Sequence, residues 1–198
     1  MQPTGGAAAY AKQFPSFCRP HSHAMKLPDL NALVKQFLQQ KLTLVLAESC
    51  TCGLVAAQLA PTEGIGEVLL GSVVTYHSEA KQRLLGVKKK TLTEYSAESQ
   101  QTTNEMVEGL HRLLPSADVC VAVTGLFGPG ASEHAQKPVG TIFVTILFEG
   151  RAHEYREELK GIPEKLGLLA ADFIYAQLGQ LLEQRQQLAM NTPLSTKG

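Results

Sequence analysis

Apolar residues along this chain occur in two patterns, short continuous runs and runs with helical spacing. Four short apolar runs bounded by polar residues predict buried strands at 42–47, 67–76, 118–124 and 140–148. A fifth segment, 151–159, alternates enough to predict an edge strand. Apolar residues three or four positions apart predict helices from Pro28-Asp29 onward and at 53–60, 78–85, 99–114 and 163–184. We therefore expect an α/β protein, a three-layer α/β/α sandwich with a mostly parallel mixed sheet of about five strands.

The two ends of the chain lack both patterns. Residues 1–26 contain Pro, Gly and small residues without a period of 2 or 3.6, and residues 187–198 follow the last predicted helix without a pattern. We predict an unstructured N-terminal tail at 1–26, a single α/β domain at 27–186 and a C-terminal tail at 187–198.

Composition and charge narrow the classes of partner. Lys plus Arg and Asp plus Glu number 18 each, so the formal net charge is zero, which excludes a protein built chiefly to hold nucleic acid or an anionic membrane. No apolar run approaches the roughly 18 residues that would span a bilayer. The 4 cysteines are too few and too irregularly spaced for a disulfide framework, which favours a reducing, cytoplasmic location.

Ligands in folds of this kind bind beyond the carboxyl ends of the strands, so the turns at those ends are the places to look for chemistry. The first such turn, Ala47 to Gly53, lies between a strand and a helix. A hydroxyl of Ser49 there would lie beside unpaired N–H groups and the positive end of the helix dipole, which suits a nucleophile with an oxyanion site, or a phosphate site. The alternative is that Ser49 or Thr51 only caps the helix.

The second turn, Thr75 to Lys81, carries a candidate base. Lys81 lies near Tyr76 in the first turns of a short helix, for which Ser78 is the expected cap. A partly desolvated lysine with a lowered pKa can accept the proton of a serine nucleophile. An ordinary exposed lysine is the alternative.

The third turn, Val123 to Gly130, is rich in glycine, which permits close approach of the backbone to a ligand. It is not a dinucleotide-binding fingerprint, because the G-x-G-x-x-G spacing and a following helix are absent. The sequence also has no Walker A motif, and no His and Cys set has the spacing of a zinc site.

Together the three turns resemble one known family. The segments AESCTCG, GSVVTYHSEAKQRLLGV and VAVTGLFGPG, with KPVGTI after them, are similar to the CinA C-terminal domain family, whose stand-alone members include nicotinamide mononucleotide deamidases. The resemblance covers roughly Leu30 to Leu182. It implies an α/β/α fold with a mixed sheet, a homodimer, and an amidohydrolase without metal or cofactor that releases ammonia from the nicotinamide carboxamide.

The resemblance also implies roles for individual residues. Ser49 matches the nucleophile, Lys81 the general base and Tyr76 the tyrosine near them. The residues that it implies for substrate binding are Thr51, Gly53, Thr124, Gly125 and Gly128. The implied partner is therefore a small molecule, nicotinamide mononucleotide or a relative, with neither nucleic acid nor membrane.

This chain departs from the family pattern at several positions. The family's TGG reads Thr51-Cys52-Gly53 here, its G-x-S reads Gly64-Ile65-Gly66, and its TGIAGPGG loop reads TGLFGPGA, with Phe127 and Ala131 in place of smaller residues. The family's GDR-x-x-x-R becomes GIPEKLG, which puts Pro163 and Gly167 where two arginines are expected. An arginine fork makes strong, charge-assisted contacts with phosphate, and neither residue can replace it.

Three readings of function follow. The leading one is a Ser–Lys amidohydrolase of the nicotinamide mononucleotide deamidase type. The second is a non-catalytic member of the family that binds a ligand or a partner protein. The third is an amidase for a related substrate without a phosphate, since loss of the arginines weakens phosphate selection but leaves Ser49 and Lys81 intact.

Overall fold

The computed structural model describes residues 27–130 and 132–191, which form one sheet with helices on both of its faces. The strands are β1 (Leu44–Glu48), β2 (Leu69–Val74), β3 (Val119–Gly125), β4 (Thr141–Phe148) and β5 (Arg151–Glu158). The helices are α1 (Leu27–Gln40), α2 (Leu54–Leu59), α3 (Ile65–Val68), α4 (Ser78–Leu85), α5 (Lys89–Tyr95), α6 (Gln100–Leu113) and α7 (Pro163–Asn191).

The sheet is mixed, with the strand order β2-β1-β3-β4-β5. Strands β2, β1 and β3 are parallel, whereas β4 is antiparallel to β3 and β5 is antiparallel to β4. The carboxyl ends of β1, β2 and β3 therefore lie at one edge of the sheet, where β4 begins. The predicted five-stranded, mostly parallel mixed sheet is confirmed.

Side chains of β1 alternate between two hydrophobic cores, as a strand's pleat requires. Leu44 and Leu46 pack with α1, α2 and α7 on one face of the sheet. Val45 and Ala47 pack with α6 and the end of α4 on the other face. All five residues of β1 are buried, in agreement with the prediction of an internal strand. The two cores confirm the three-layer sandwich.

The β4–β5 hairpin closes through the two residues Glu149 and Gly150. Their φ angles are +50° and +73°, and two consecutive positive φ angles are typical of the tight hairpin turn whose twist matches that of the strands. Strand β5 pairs on one side only and its residues are largely exposed, as predicted for an edge strand.

The largest differences from the prediction are one strand start, one additional helix and one helix end. Residues 65–68 are helical, so β2 begins at Leu69, later than the predicted strand at 67–76. The α5 helix at 89–95 was not predicted. It starts in a run of three lysines, 88–90, and buries only Thr91, so it lacks the apolar spacing of a helix. Helix α7 continues past the predicted end at Gln184 to Asn191, since Gln, Leu, Ala and Met are good helix formers and no Gly or Pro interrupts them.

The predicted cap of α4 is also wrong. His77, not Ser78, precedes the helix, and its Nδ1 accepts a hydrogen bond from the backbone N–H of Glu79 at 3.2 Å. The predicted tail at 1–26 and the last residues of the predicted C-terminal tail, 192–198, lie outside the described residues.

Helices α4 and α6 approach each other closely at Gly109. A Cβ atom on Gly109 would collide with the backbone carbonyl group of Leu85, the last residue of α4. Glycine at this position therefore lets α6 support the end of the helix that carries Lys81. No helix within the described ranges has both the length and the apolar character needed to cross a membrane.

Candidate functional site

Ser49 and Lys81 meet at the carboxyl edge of the sheet. Ser49 directly follows β1, and α4 carries Lys81 over the same face of the sheet. The Nζ atom of Lys81 lies 2.8 Å from the Oγ atom of Ser49. Both side chains are buried, with 6% of Ser49 and 1% of Lys81 exposed. The structure thus brings the two side chains into contact at the end of β1, and their sharing one catalytic site stays a prediction.

The surroundings of Lys81 make its amine easier to deprotonate than that of an exposed lysine. Its Nζ also contacts the carbonyl oxygens of Thr75, at 2.6 Å, and Tyr76, at 3.2 Å. Burial lowers the pKa of Lys81, and the negative charge of Glu98 opposes that effect only in part. The Lys81 amine thus has three acceptors, the Ser49 hydroxyl and the two carbonyls. Once Lys81 has lost a proton, its two remaining N–H groups can stay on the carbonyls, and its lone pair then faces the Ser49 hydroxyl. The geometry therefore suits transfer of the serine proton to Lys81.

A cavity of about 390 Å³ opens beside the serine. Its lining consists of Ser49, Cys50, Tyr76, Glu98 and the loop at 125–129. The cavity therefore brings together the ends of β1, β2 and β3, as expected for a ligand site in an open α/β sheet.

Four of the predicted site residues line this cavity: Ser49, Tyr76, Gly125 and Gly128. Tyr76 is 67% exposed, and the hydrogen bond that links this residue to the pair is the one that its backbone carbonyl accepts from Lys81. A catalytic role for the Tyr76 hydroxyl stays a prediction. The two glycines leave the cavity wall without side chains.

Three predicted substrate-binding residues lie away from the cavity wall. The hydroxyl of Thr51 donates to Glu48 at 2.8 Å, and the hydroxyl of buried Thr124 shares a hydrogen bond with Thr103 at 2.8 Å. Gly53 has a φ of +89° where the chain enters α2, a conformation that glycine adopts without strain. Contacts of these residues with substrate stay predictions.

Glu48 is a residue of the site that the sequence did not single out. Its side chain is 1% exposed, and four groups donate hydrogen bonds to its carboxylate. The donors are the hydroxyls of Thr51 and Ser72 and the backbone N–H groups of Val55 and Ala56. The available signal was an acidic residue directly between an apolar strand and a helix.

Glu48 corrects one expectation about the helix that follows. The N–H groups at the start of α2 were expected to lie unpaired beside Ser49, but those of Val55 and Ala56 donate to the Glu48 carboxylate instead. Within the turn, the N–H group of Thr51 has no acceptor among the described residues. A donor for a negatively charged oxygen at Ser49 is therefore more readily supplied by the turn than by the helix.

The two cysteines of the turn differ in environment. Burial raises the pKa of the Cys50 thiol, so Cys50 stays protonated beside the cavity and is a poor nucleophile there. Cys52 is exposed and has a φ of +50°, in the left-handed region where the family's glycine is free of strain. In the part of the chain that the structure describes, no cluster of three or more His, Cys, Asp or Glu residues could hold a metal ion.

The two positions that lack the family's arginines lie near the start of α7. Pro163 begins the helix, and a Cβ atom on Gly167 would lie 3.1 Å from Cδ2 of Leu54. Neither residue lines the cavity. A side chain at position 167 would therefore require the Leu54 side chain to shift by a few tenths of an ångström.

These features define an α/β/α sandwich protein with a buried Ser–Lys pair beside a cavity at the carboxyl edge of its sheet. The chain belongs to the CinA C-terminal domain family, whose sequence model matches residues 29–182. A CinA-like protein of Thermotoga neapolitana is 37% identical over 153 residues, which cover 77% of this chain and 37% of that protein. A CinA-like protein of Petrotoga mobilis is 36% identical over 143 residues, which cover 72% of this chain and 35% of that protein. The chain thus spans about a third of the length of these relatives.

Solved structures of the family share the fold. The competence damage-inducible protein A of Klebsiella pneumoniae superposes with a TM-score of 0.74 at 31% identity, over 80% of this chain and 98% of that one. The competence/damage inducible protein CihA of Agrobacterium tumefaciens gives a TM-score of 0.70 at 30% identity, over 82% of this chain and 98% of that one. The resemblance to the family is confirmed.

Proposed function

We propose that this chain is a Ser–Lys amidohydrolase that releases ammonia from a nicotinamide-type carboxamide, with nicotinamide mononucleotide as the first substrate to test. The observation that carries the proposal is the 2.8 Å contact between Lys81 Nζ and Ser49 Oγ, buried beside a cavity. A lysine whose pKa is lowered by burial and whose amine contacts a serine hydroxyl is a recurring way to activate a nucleophile.

The proposed reaction has two halves. Ser49 Oγ attacks the carboxamide carbon as its proton passes to Lys81, and Lys81 then returns that proton to the leaving nitrogen, so that ammonia departs and an ester to Ser49 remains. A water molecule next attacks the ester while Lys81 accepts its proton. The proton finally returns to Ser49 Oγ as the carboxylic acid product leaves.

The negative charge that develops on the carboxamide oxygen needs a donor. The Thr51 N–H group follows Ser49 closely along the chain and has no acceptor among the described residues, so we assign it this role. Its contribution is tested with Thr51→Pro, which removes the N–H group, compared with Thr51→Val, which removes only the hydroxyl that donates to Glu48.

One observation favours the non-catalytic alternative. No positively charged residue lines the described cavity, and the positions of the family's arginines hold Pro163 and Gly167. The phosphate of nicotinamide mononucleotide would therefore lack the contacts that a guanidinium fork supplies. The same observation favours an amidase for a substrate without a phosphate.

Ammonia release separates these alternatives. The purified protein is incubated with nicotinamide mononucleotide and, separately, with nicotinamide riboside, and Ser49→Ala is compared with Ser116→Ala, which changes an exposed serine outside the cavity. We expect release with at least one substrate, its loss in Ser49→Ala and its retention in Ser116→Ala. Binding measured by calorimetry without any ammonia release would support the non-catalytic alternative instead.

We also propose a homodimer, on the strength of the resemblance. Light scattering at micromolar concentration should then give about twice the chain mass of 21.4 kDa. A monomer mass would contradict the proposal.

A further inference from the structure

Glu98 is the charged residue in the cavity lining. Of the residues that line it within the described ranges, Glu98 is acidic and none is basic. Lys81 lies beneath Ser49, where its amine contacts Ser49 and two backbone carbonyls. A ligand in the cavity therefore meets a carboxylate and no exposed cation.

The carboxylate of Glu98 is only partly paired. Its Oε2 accepts a hydrogen bond from the Ser132 hydroxyl at 2.7 Å, and its Oε1 has no partner among the described residues. The ammonium group of Lys137 lies near, but it donates to the backbone carbonyl of Glu98 at 3.1 Å and to the Ser96 hydroxyl at 2.8 Å. Glu98 thus keeps one acceptor oxygen for a group that enters the cavity.

A strained segment holds Glu98 in place. Ser96 has φ +74° and ψ 169°, a combination that only glycine adopts readily. The Ser96 carbonyl accepts from the hydroxyls of Thr102, at 2.7 Å, and Ser99, at 3.1 Å, while its own hydroxyl accepts from Lys137. Strain that several hydrogen bonds maintain is typical of segments that position a functional side chain.

A carboxylate in a cavity without basic residues selects ligands by charge. It attracts a cationic ring and repels a phosphate, and the effect is strong because a partly enclosed cavity screens charge less than water does. We propose that Glu98 makes this cavity selective for carboxamides on a positively charged ring without a phosphate group, with Oε1 facing the ring or a hydroxyl attached to it. This inference rests on the proposed function, because it concerns the substrate of the same site.

Three probes of similar shape separate charge from size. Nicotinamide riboside carries a cationic ring, its dihydro form carries a neutral ring, and nicotinamide mononucleotide adds a phosphate to the cationic ring. Binding is measured by calorimetry in Ser49→Ala, so that turnover does not interfere. We expect nicotinamide riboside to bind at least about tenfold more tightly than either of the other two, as expected for one charge-assisted contact.

Variants at Glu98 complete the test. Glu98→Gln in the Ser49→Ala protein should remove both preferences, and Glu98→Asp should keep them, because it keeps the charge. Glu133→Gln removes a charge from an exposed position of the neighbouring loop and should change neither preference. Equal binding of the three probes, no binding of any of them, or preferences that survive Glu98→Gln would overturn the inference.

The outcome also distinguishes this inference from the proposed function. Charge-selective binding without ammonia release by the unmodified protein would leave the inference standing and contradict the amidohydrolase. Ammonia release without charge selection would support the amidohydrolase and contradict the inference about Glu98.

Discussion

Glu48 and Ser49 are neighbours in sequence, yet their side chains lie on opposite faces of the sheet. Glu48 faces the side of α2 and α7, where its carboxylate accepts four hydrogen bonds from fixed groups. Ser49 faces the side of α4, where its hydroxyl meets one amine and an open cavity. The four hydrogen bonds of Glu48 hold the turn in place. The Ser49 hydroxyl has one partner and remains accessible to a ligand in the cavity.

Because of this difference, we expect Glu48 to contribute mainly to stability and the Ser49–Lys81 pair mainly to activity. A buried carboxylate with all its donors in place stabilises the fold mainly because its removal would leave those donors unsatisfied. Burying the Lys81 amine beside Ser49 costs desolvation free energy, and the fold does not need an amine there to be stable. We therefore expect changes on the two sides to affect different measurements.

The largest expected effect is on turnover in Lys81→Met. If Lys81 is the base, turnover should fall by roughly 10²–10⁴-fold, as is usual when a positioned acid–base group is lost. The free energy of unfolding should change by no more than about 2 kcal/mol, because removal of the amine's desolvation cost offsets its lost hydrogen bonds. Ammonia release and chemical denaturation measure the two quantities. Turnover within tenfold of the unmodified protein would contradict the assignment.

The next effect should appear in Glu48→Ala, and in stability. Loss of the carboxylate leaves two buried and two partly buried donors without their acceptor, so the free energy of unfolding should fall by roughly 3–5 kcal/mol. Turnover of the protein that remains folded should change far less than in Lys81→Met, since Glu48 does not line the cavity. Glu63→Ala, at an exposed position, is the control and should leave stability nearly unchanged. A large loss of turnover with intact stability would reverse the comparison.

A smaller effect is expected in the pH dependence of activity. The protonated form of Lys81 cannot accept the serine proton, so kcat/KM should rise with pH through the pKa of Lys81, which burial places below the ordinary lysine value of 10.5. The negative charge of Glu98 raises that pKa, so Glu98→Gln should move the rise to lower pH. Initial rates of ammonia release across the neutral and alkaline range test both points. A rise that moves to higher pH in Glu98→Gln would contradict this electrostatic link.

The smallest effect should come from Cys52→Gly. Cys52 has a φ of +50°, a left-handed conformation that costs about 1–2 kcal/mol for a residue with a side chain. Glycine removes this strain but loses more freedom on folding, so we expect the free energy of unfolding to rise by about 0.5–1 kcal/mol. Cys52→Ala keeps the strain and should show no such gain. Equal stability of the two variants would show that the turn is not strained at this residue.

Much of the fold could be predicted because its elements carry local signals. The apolar run around Leu44 indicates a buried strand whatever surrounds it, and the spacing of apolar residues in α7 indicates its buried face. The meeting of Ser49 with Lys81 follows from the rule that parallel strands end at one edge, together with the family resemblance.

The remaining features depend on partners distant in sequence. Glu48 resembles the polar end of a strand until Ser72, on the neighbouring strand, and the start of α2 supply its donors. Glu98 lies in a loop without periodicity, and the positive φ of Ser96 that directs it has no sequence signal, because serine seldom adopts that conformation. Such residues are visible only once the chain is folded.

The close approach at Gly109 has a consequence for how this family can diverge. Any side chain there would push α6 away from Leu85, and α4 would lose the support that holds Lys81 under Ser49. Gly109 does not line the cavity and has no chemical role, yet substitutions there are restricted by the position of Lys81. Relatives that keep the serine and lysine but carry a larger residue at this position should show a compensating shortening or displacement of the α4 helix.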